Sequence, residues 1–208
     1  MKAGNQGKRL RLRRCNEQDL DFVWATIQNN DFQTICLPNL MDGLSQDNVR
    51  ASLITTENLN PMATGSLYFT IEHLCYGPIG IAFLNDYTPT HRRCEQVIAI
   101  SAIQYWGKGY GIEAELLLLD LIFNHYQMIK VYGYAYDYNP IGHQIAVRCG
   151  FTDEGEMRQH CYLTKQQRYA NLYVHGLIEP KFRDNTFLAG LAYKLLGRDI
   201  TRKNACLS

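Results

Sequence analysis

The chain has 208 residues, of which 46% are hydrophobic and 20% charged, so it is a globular chain of one domain or two small ones rather than a fibrous or disordered one. Its 21 Lys and Arg stand against 20 Asp and Glu for a formal net charge of +1, which leaves no general electrostatic pull toward nucleic acid or anionic lipid. No run of about 18 apolar residues occurs, so no membrane-spanning helix is expected.

Residues 1–8 are rich in Gly, Lys and Asn and are expected to be disordered. Leu10 to Arg13 alternates with period two, as a strand does. Asn16 is a good helix N-cap, and Asp19 stands where a Glu would complete a capping box. Leu20, Val23, Trp24 and Ile27 follow at helical spacing, which predicts a helix over Glu17 to Gln28. A loop is expected from Asn29 to Leu44, a second helix from Ser45 or Asp47 through Ile54, and a loop over Asn58 to Gly65. Strands are predicted over Leu67 to Ile71, Ile79 to Leu84 and Cys94 to Ser101, separated by the Gly77-Pro78 turn and the polar stretch Asp86 to Arg93. Glu113 to Tyr126 carries the apolar stripe of a long helix, and Val131 to Tyr136 is the next strand. Asn139-Pro140 starts a short helix that runs to Cys149 and stops at Gly150. Gln159 to Leu163 and Asn171 to Gly176 form a hairpin, and Thr186 to Leu196 is a last amphipathic helix between an Asp184 or Asn185 cap and Gly197. The order implies one α/β or α+β layered structure.

Cysteines stand at 15, 36, 75, 94, 149, 161 and 206, with no CxxC pair. That spacing suits neither a zinc ribbon nor a disulfide scaffold. Met1 to Arg14 is polar and basic, without the apolar core of a secretory signal. Both readings point to reduced thiols in the cytoplasm. His91, His125, His143, His160 and His175 are dispersed without an HxxxH or HExxH, so no metal is expected.

The most informative segment is Trp106-Gly107-Lys108-Gly109-Tyr110-Gly111, between a predicted strand and a predicted helix. Glycines let the backbone turn sharply and approach a ligand closely. The helix start offers unpaired N–H groups and the positive end of its dipole, an anion site suited to a pyrophosphate. The loop lacks the spacing of a Walker A or a dinucleotide fingerprint, and a glycine turn without ligand is the plainer alternative.

This segment, with Tyr105 before it and Ile112-Glu113-Ala114 after it, resembles the acyl-CoA loop of the GNAT acetyltransferase superfamily, in the branch of the ribosomal-protein N-terminal and spermidine acetyltransferases. The family loop fits in two registers, Gln104 to Gly109 or Trp106 to Gly111, and the second aligns Gly-Lys-Gly-Tyr with the branch. Asn139, followed twelve residues on by Gly-Phe at 150 and 151, fits a second family pattern, and Asp153 to Arg158 resembles the same branch. The likeness covers roughly residues 9–180. A domain over 9–180 and a helical extension over 181–208 are therefore expected.

The resemblance implies a mixed, mostly antiparallel central sheet that splays open around acyl-CoA, with helices on both faces. The pyrophosphate would sit on the loop of Trp106, Gly107, Lys108, Gly109, Tyr110 and Gly111. The pantetheine arm would pair with Ala99, Ile100 and Ser101, and Asn139 would lie near the sulfur. Lys108 is either a phosphate contact or a solvated lysine. The reaction implied is attack of a neutral primary amine on the thioester of acetyl-CoA, the amine being a protein N-terminus, polyamine, amino sugar or other small molecule. Few carboxylates in residues 29–62 and 163–171 count slightly against a polyamine. A non-catalytic CoA-binding module and a longer acyl donor are the alternatives, and a homodimer is one expected assembly. No membrane partner and no clear nucleic-acid binding are expected.

Glu95 is the expected base, against the reading of a solvated strand carboxylate. Counting back from Trp106 without a gap puts Gln96 in that place instead, and a bulge would decide between them. The two positions where relatives carry a proton donor, three and seven residues after Asn139, hold Gly142 and Ala146. Tyr132, Tyr134, Tyr136 and Tyr138 alternate along one predicted strand and so share a face. Tyr136, nearest Asn139, is the expected acid. Arg9, Arg11, Arg13 and Arg14 read as charges protecting an edge strand, or as a patch for an acidic partner.

Overall fold

The computed structural model describes residues 5–30, 32–33, 44–58, 65–164 and 166–202. Most of the expected loop over residues 29–44, all of 59–64, and Cys36 and Cys206 lie outside them. Eight strands form one sheet in the order β1-β2-β3-β4-β5-β6-β8-β7. They are β1 (Asn5–Gln6), β2 (Leu10–Arg14), β3 (Leu67–His73), β4 (Gly77–Thr88), β5 (Arg93–Ile100), β6 (Lys130–Tyr136), β7 (Thr152–Leu163) and β8 (Arg168–Ile178). Six helices complete the described fold: α1 (Leu20–Gln28), α2 (Gln46–Asn58), α3 (Tyr110–Asp120), α4 (Pro140–Arg148), α5 (Glu179–Arg183) and α6 (Thr186–Leu196). None is long and apolar enough to cross a membrane.

Alternation along the central strands sends side chains to two cores. On one face Leu12, Phe69, Ile79, Leu84, Cys94 and Val131 pack against α3, whose Leu116 to Leu119 are all fully buried. On the other, Ile81 and Ala99 pack under Val23 and Ile27 of α1 and Val49 and Leu53 of α2. A helix apolar on most of its circumference has to be covered on most sides. The fourth side of α3 is closed by Phe182, Leu188, Ala192, Leu196 and Ile200. Phe123 and Phe182 stack with centroids 4.4 Å apart.

Three expectations change. Asn5 and Gln6 are not disordered: they pair with Arg11 and Leu12 as β1. Arg198 holds them there, donating to the Gln6 carbonyl at 2.8 Å and to Asp120 Oδ2 at 2.8 and 3.1 Å. β2 is consequently not the edge, and the arginines of this stretch are held by internal partners: Arg9, just before β2, by Glu113, Arg11 by Glu72, Arg13 by Asp19, while Arg14 lies over the Phe69 ring. Tyr138 falls beyond the end of β6, where it stacks on Tyr136 at 5.2 Å. Bounds move as well: β7 begins at Thr152 rather than Gln159, β8 at Arg168 rather than Asn171, and β4 runs on to Thr88. The long helix starts at Tyr110 and widens after Asp120 into a π turn over Leu121–His125, and the short α5 was not expected. Asp19 does complete the capping box with Asn16.

Candidate active site

Among the described residues the only parallel neighbours are β5 and β6, and they pair over just three residues, Arg93 to Glu95 with Lys130 to Tyr132. Beyond that point β5 stays with β4 as far as Ile100, and β6 stays with β8 as far as Tyr136. The two strands therefore part into a V. Gly133 makes the apex close: a Cβ there would come within 3.2 Å of the Gln96 carbonyl. The V forms a cleft of about 510 Å³, walled by β5, β6, the loop after β5 and one side of α4.

The glycine loop stands at the wide end. Gly107 and Gly109 have φ of 71° and 78°, the left-handed region that side chains with a Cβ avoid. A Cβ on Gly107 would meet no atom within 4 Å, so the space above it is open to a ligand. Gly109 is the N-cap of α3, so the first N–H groups of a buried helix face this end of the cleft without intrahelical acceptors. Trp106 pins the loop to the strand through Nε1, which donates to the Ile100 carbonyl at 3.1 Å. Arg9 holds it from behind: Nη1 donates to the Lys108 carbonyl at 2.9 Å and Nη2 to that of Gly109 at 3.3 Å, while Nε donates to Glu113 Oε2 at 2.7 Å.

At the narrow end β5 presents neighbouring residues to opposite faces. The Gln96 amide reaches α3, where Nε2 donates to Glu115 Oε1 at 2.5 Å. Glu95 lies on the α1–α2 side and lines both the cleft and a second, mostly apolar cavity of about 280 Å³ bounded by Val23, Ile27, Leu53 and Phe83. β5 pairs with β4 without a break from Glu95 to Ile100, and the one register shift of that pair lies before Glu95, between Asn85 and Thr88 of β4. Burial pushes the Glu95 carboxyl above its ordinary range, and nearby Asp86 adds to the push. Asp86 itself is held low, first by the hydroxyl of Tyr132, which donates to it at 2.5 Å, and by Arg93.

Of the residues expected to hold cofactor or substrate, Glu95, Ala99, Ile100, Trp106, Gly107, Gly109, Tyr110, Gly111, Tyr136 and Asn139 line the cleft. Lys108 and Ser101 do not. Lys108 contributes its carbonyl to Arg9, and Ser101 spends both its N–H and its hydroxyl on the Ile79 carbonyl, each at 2.9 Å. Asn139 caps α4, its Oδ1 accepting from the Gly142 N–H at 3.0 Å. A Cβ at residue 142 would stand 2.8 Å from Asn139 Nδ2, which accounts for glycine there. Burial lifts the Tyr136 phenol above its ordinary value.

Two groups escaped the sequence. Glu115 lines the cleft although it is buried. Its signal was a carboxylate inside the apolar run Ala114 to Leu119. His143 and His175, distant in sequence, meet at 3.4 Å between ring nitrogens, and His175 Nδ1 stands 2.8 Å from Asp153 Oδ1.

The family model for the acetyltransferase (GNAT) domain matches residues 9–152. No curated protein matches. Among solved structures, a chimera of the Vibrio cholerae spermidine N-acetyltransferase SpeG and hSSAT superposes with TM-score 0.73 at 21% identity, covering 86% of this chain and 100% of its own. The Vibrio cholerae spermidine N-acetyltransferase in complex with CoA and spermine gives 0.73 at 22%, covering 84% and 98%. A dodecameric form of that enzyme gives 0.70 at 22%, covering 86% and 98%. The splayed sheet and glycine loop agree with the family match over most of the chain: it belongs to the GNAT acetyltransferase family, and its reaction is transfer of an acetyl group from acetyl-CoA to a primary amine.

Proposed function

We propose that acetyl-CoA lies in the V with its pyrophosphate on the N–H groups of the Gly107–Gly111 loop and the start of α3, and its pantetheine arm along β5 past Ile100 and Ala99. The acceptor amine enters from the α1–α2 side, and Glu95 removes its proton. The observation that carries this reading is the position of Glu95, at the apex and shared by both cavities. An amine can approach it from the second cavity while the thioester approaches from the first. Holding the two in line supplies part of the rate. Strand N–H groups at the apex stabilise the oxyanion. Tyr136, on the β6 wall, is the proton donor that the sequence points to for the leaving thiolate, although its raised phenol holds the proton tightly.

The structural relatives act on spermidine, which makes spermidine and spermine the first acceptors to assay. Among the described residues the second cavity carries one carboxylate, Glu95, so it also suits an acceptor with a single amine on an apolar body. We assign residues 9–180 as the catalytic domain and 181–208 as an extension, whose described residues Phe182 to Ile200 brace α3. The dodecameric relative supports self-association of this chain, to be measured by sedimentation. The spacing of the cysteines supports the cytoplasm.

Glu95→Gln is the test. The rate of the parent enzyme should climb with pH as Glu95 loses its proton. The variant should lose about 10²-fold or more in kcat, together with that limb of the profile. Unchanged turnover at every pH would remove Glu95 as the base.

A further inference from the structure

Glu115 is only 6% exposed. It sits one helical turn after Gly111 on the side of α3 that lines the cleft. Its hydrogen-bond partner there is the amide of Gln96 at 2.5 Å. An amide carries no charge, so nothing neutralises an ionised carboxylate at this place, and burying an unpaired charge is costly. The Gln96 Oε1 is itself buried without a partner. The other ionisable groups nearby are the Cys149 thiol behind α4, pushed up by burial and by Glu115, and Arg148, His175 and Glu95, which line the same cleft. Glu113 and Asp120, on the same helix, are taken up by Arg9 and Arg198. The result is a carboxyl pushed up to about 7 by burial, a proton-bearing acid around neutral pH.

Two neighbouring residues of β5 thus put one carboxyl on either side of the apex: Glu95 directly, and Glu115 through Gln96. The chain also lacks a donor at Gly142 and Ala146, and burial raises the phenol of Tyr136 above its ordinary value. We infer that Glu115 is the principal acid of the reaction, giving its proton to the sulfur of the departing CoA, while Gln96 positions its carboxyl. The inference rests on the acyl-CoA reading of the cleft. The amine nitrogen bonds to the carbonyl carbon, and the C–S bond breaks as the oxyanion collapses. The proton leaving nitrogen goes to Glu95, and the proton of Glu115 goes to the thiolate. Solvent then returns one proton from Glu95 to Glu115, so the enzyme is restored. An acid near 7 transfers readily to a thiolate whose conjugate thiol lies at about 8.5, whereas a phenol raised by burial transfers uphill and less readily.

The test uses the full chain and Glu115→Gln, which keeps the shape and the bond to Gln96 but has no acid proton. CoA affinity by calorimetry shows whether the variant retains the cleft. Thiolate absorbance of bound CoA, followed from pH 6 to 10, reads the proximity of Glu115 to sulfur, because an ionised carboxylate beside it disfavours thiolate. The bound thiol should hold its proton about tenfold more tightly in the parent than in the variant. In acetyl transfer to an amine panel, kcat of the variant should fall 10- to 100-fold with KM little changed, and Tyr136→Phe should cost less. Identical thiol titrations, or a shifted titration with parental kcat, would overturn the role of Glu115. A parent protein that does not bind CoA, or acetylates no amine, would instead overturn the acyl-CoA reading and this inference with it.

Discussion

Glu113 and Glu115 stand two residues apart on α3, and both are buried, yet the regions they serve are built on opposite plans. Glu113, at the corner where β2 begins, has both its oxygens engaged. It receives the Arg9 N–H at 2.8 Å, the Leu10 N–H at 3.1 Å and Arg9 Nε at 2.7 Å. Glu115, on the cleft side, has one neutral amide. A buried carboxylate that is fully paired is a fixed strut, whereas one left with a neutral partner remains titratable. The helix therefore carries structure on one flank and chemistry on the other, and the difference lies entirely in what surrounds two identical side chains.

Removing the strut should give the largest effect. Glu113→Ala strips three hydrogen bonds at once and leaves the N–H groups of Arg9 and Leu10 unpaired inside the fold. Each buried N–H left without its acceptor costs about 1–3 kcal/mol, and the Arg9 ion pair is lost as well, so the denaturant midpoint should fall steeply at every pH between 6 and 9. A drop of less than about 1 kcal/mol would mean that the corner is held by packing alone.

The cleft side should respond with the opposite sign. The folded Glu115 titrates near 7 and its unfolded counterpart at 4.5, so between those pH values the folded chain binds more protons. Stability from this group is complete below about pH 4.5 and drains away as pH rises toward 7, by roughly 3 kcal/mol in all. Glu115→Gln should erase that slope and leave the variant more stable than the parent at pH 8, while being close to it at pH 5. Parallel stability–pH curves would show that Glu115 is ionised at little cost, and the contrast with Glu113 would collapse.

The two flanks differ also in how far the sequence revealed them. The Trp106–Gly111 loop was legible because glycines at a strand-to-helix junction have a local meaning, and the Asn139-Pro140 start was legible for the same reason. What the sequence withheld are pairings between distant residues. The strand at Asn5 and Gln6 depends on Arg198, near the other end of the chain. Arg11 and Arg9 looked like guards of an exposed edge because their partners, Glu72 and Glu113, lie 61 and 104 residues away. Glu115 was one more residue in a leucine-rich helix until β5 brought Gln96 against it. Glu95 was ambiguous for a related reason: which of Glu95 and Gln96 faces which side shows only in their distant neighbours, Glu115 beside Gln96 and the α1–α2 cavity beside Glu95.

Arg9 links the strut to the site, and its replacement should produce the smallest and most selective change. Its Nε belongs to Glu113, and its two terminal nitrogens hold the carbonyls of Lys108 and Gly109. Turning those carbonyls backward leaves the loop N–H groups free for phosphate, and the guanidinium adds a fixed positive charge behind them. Lysine keeps the charge but cannot span three acceptors with a planar fork. Arg9→Lys should therefore leave the fold and the apex intact, with kcat within about twofold of the parent, because neither Glu95 nor Glu115 is touched. KM for acetyl-CoA should rise about tenfold, since ordering the loop must then be supplied by the ligand. If kcat falls and KM stays, the disturbance has travelled down α3 to the apex, and the two flanks of the helix are coupled rather than separate.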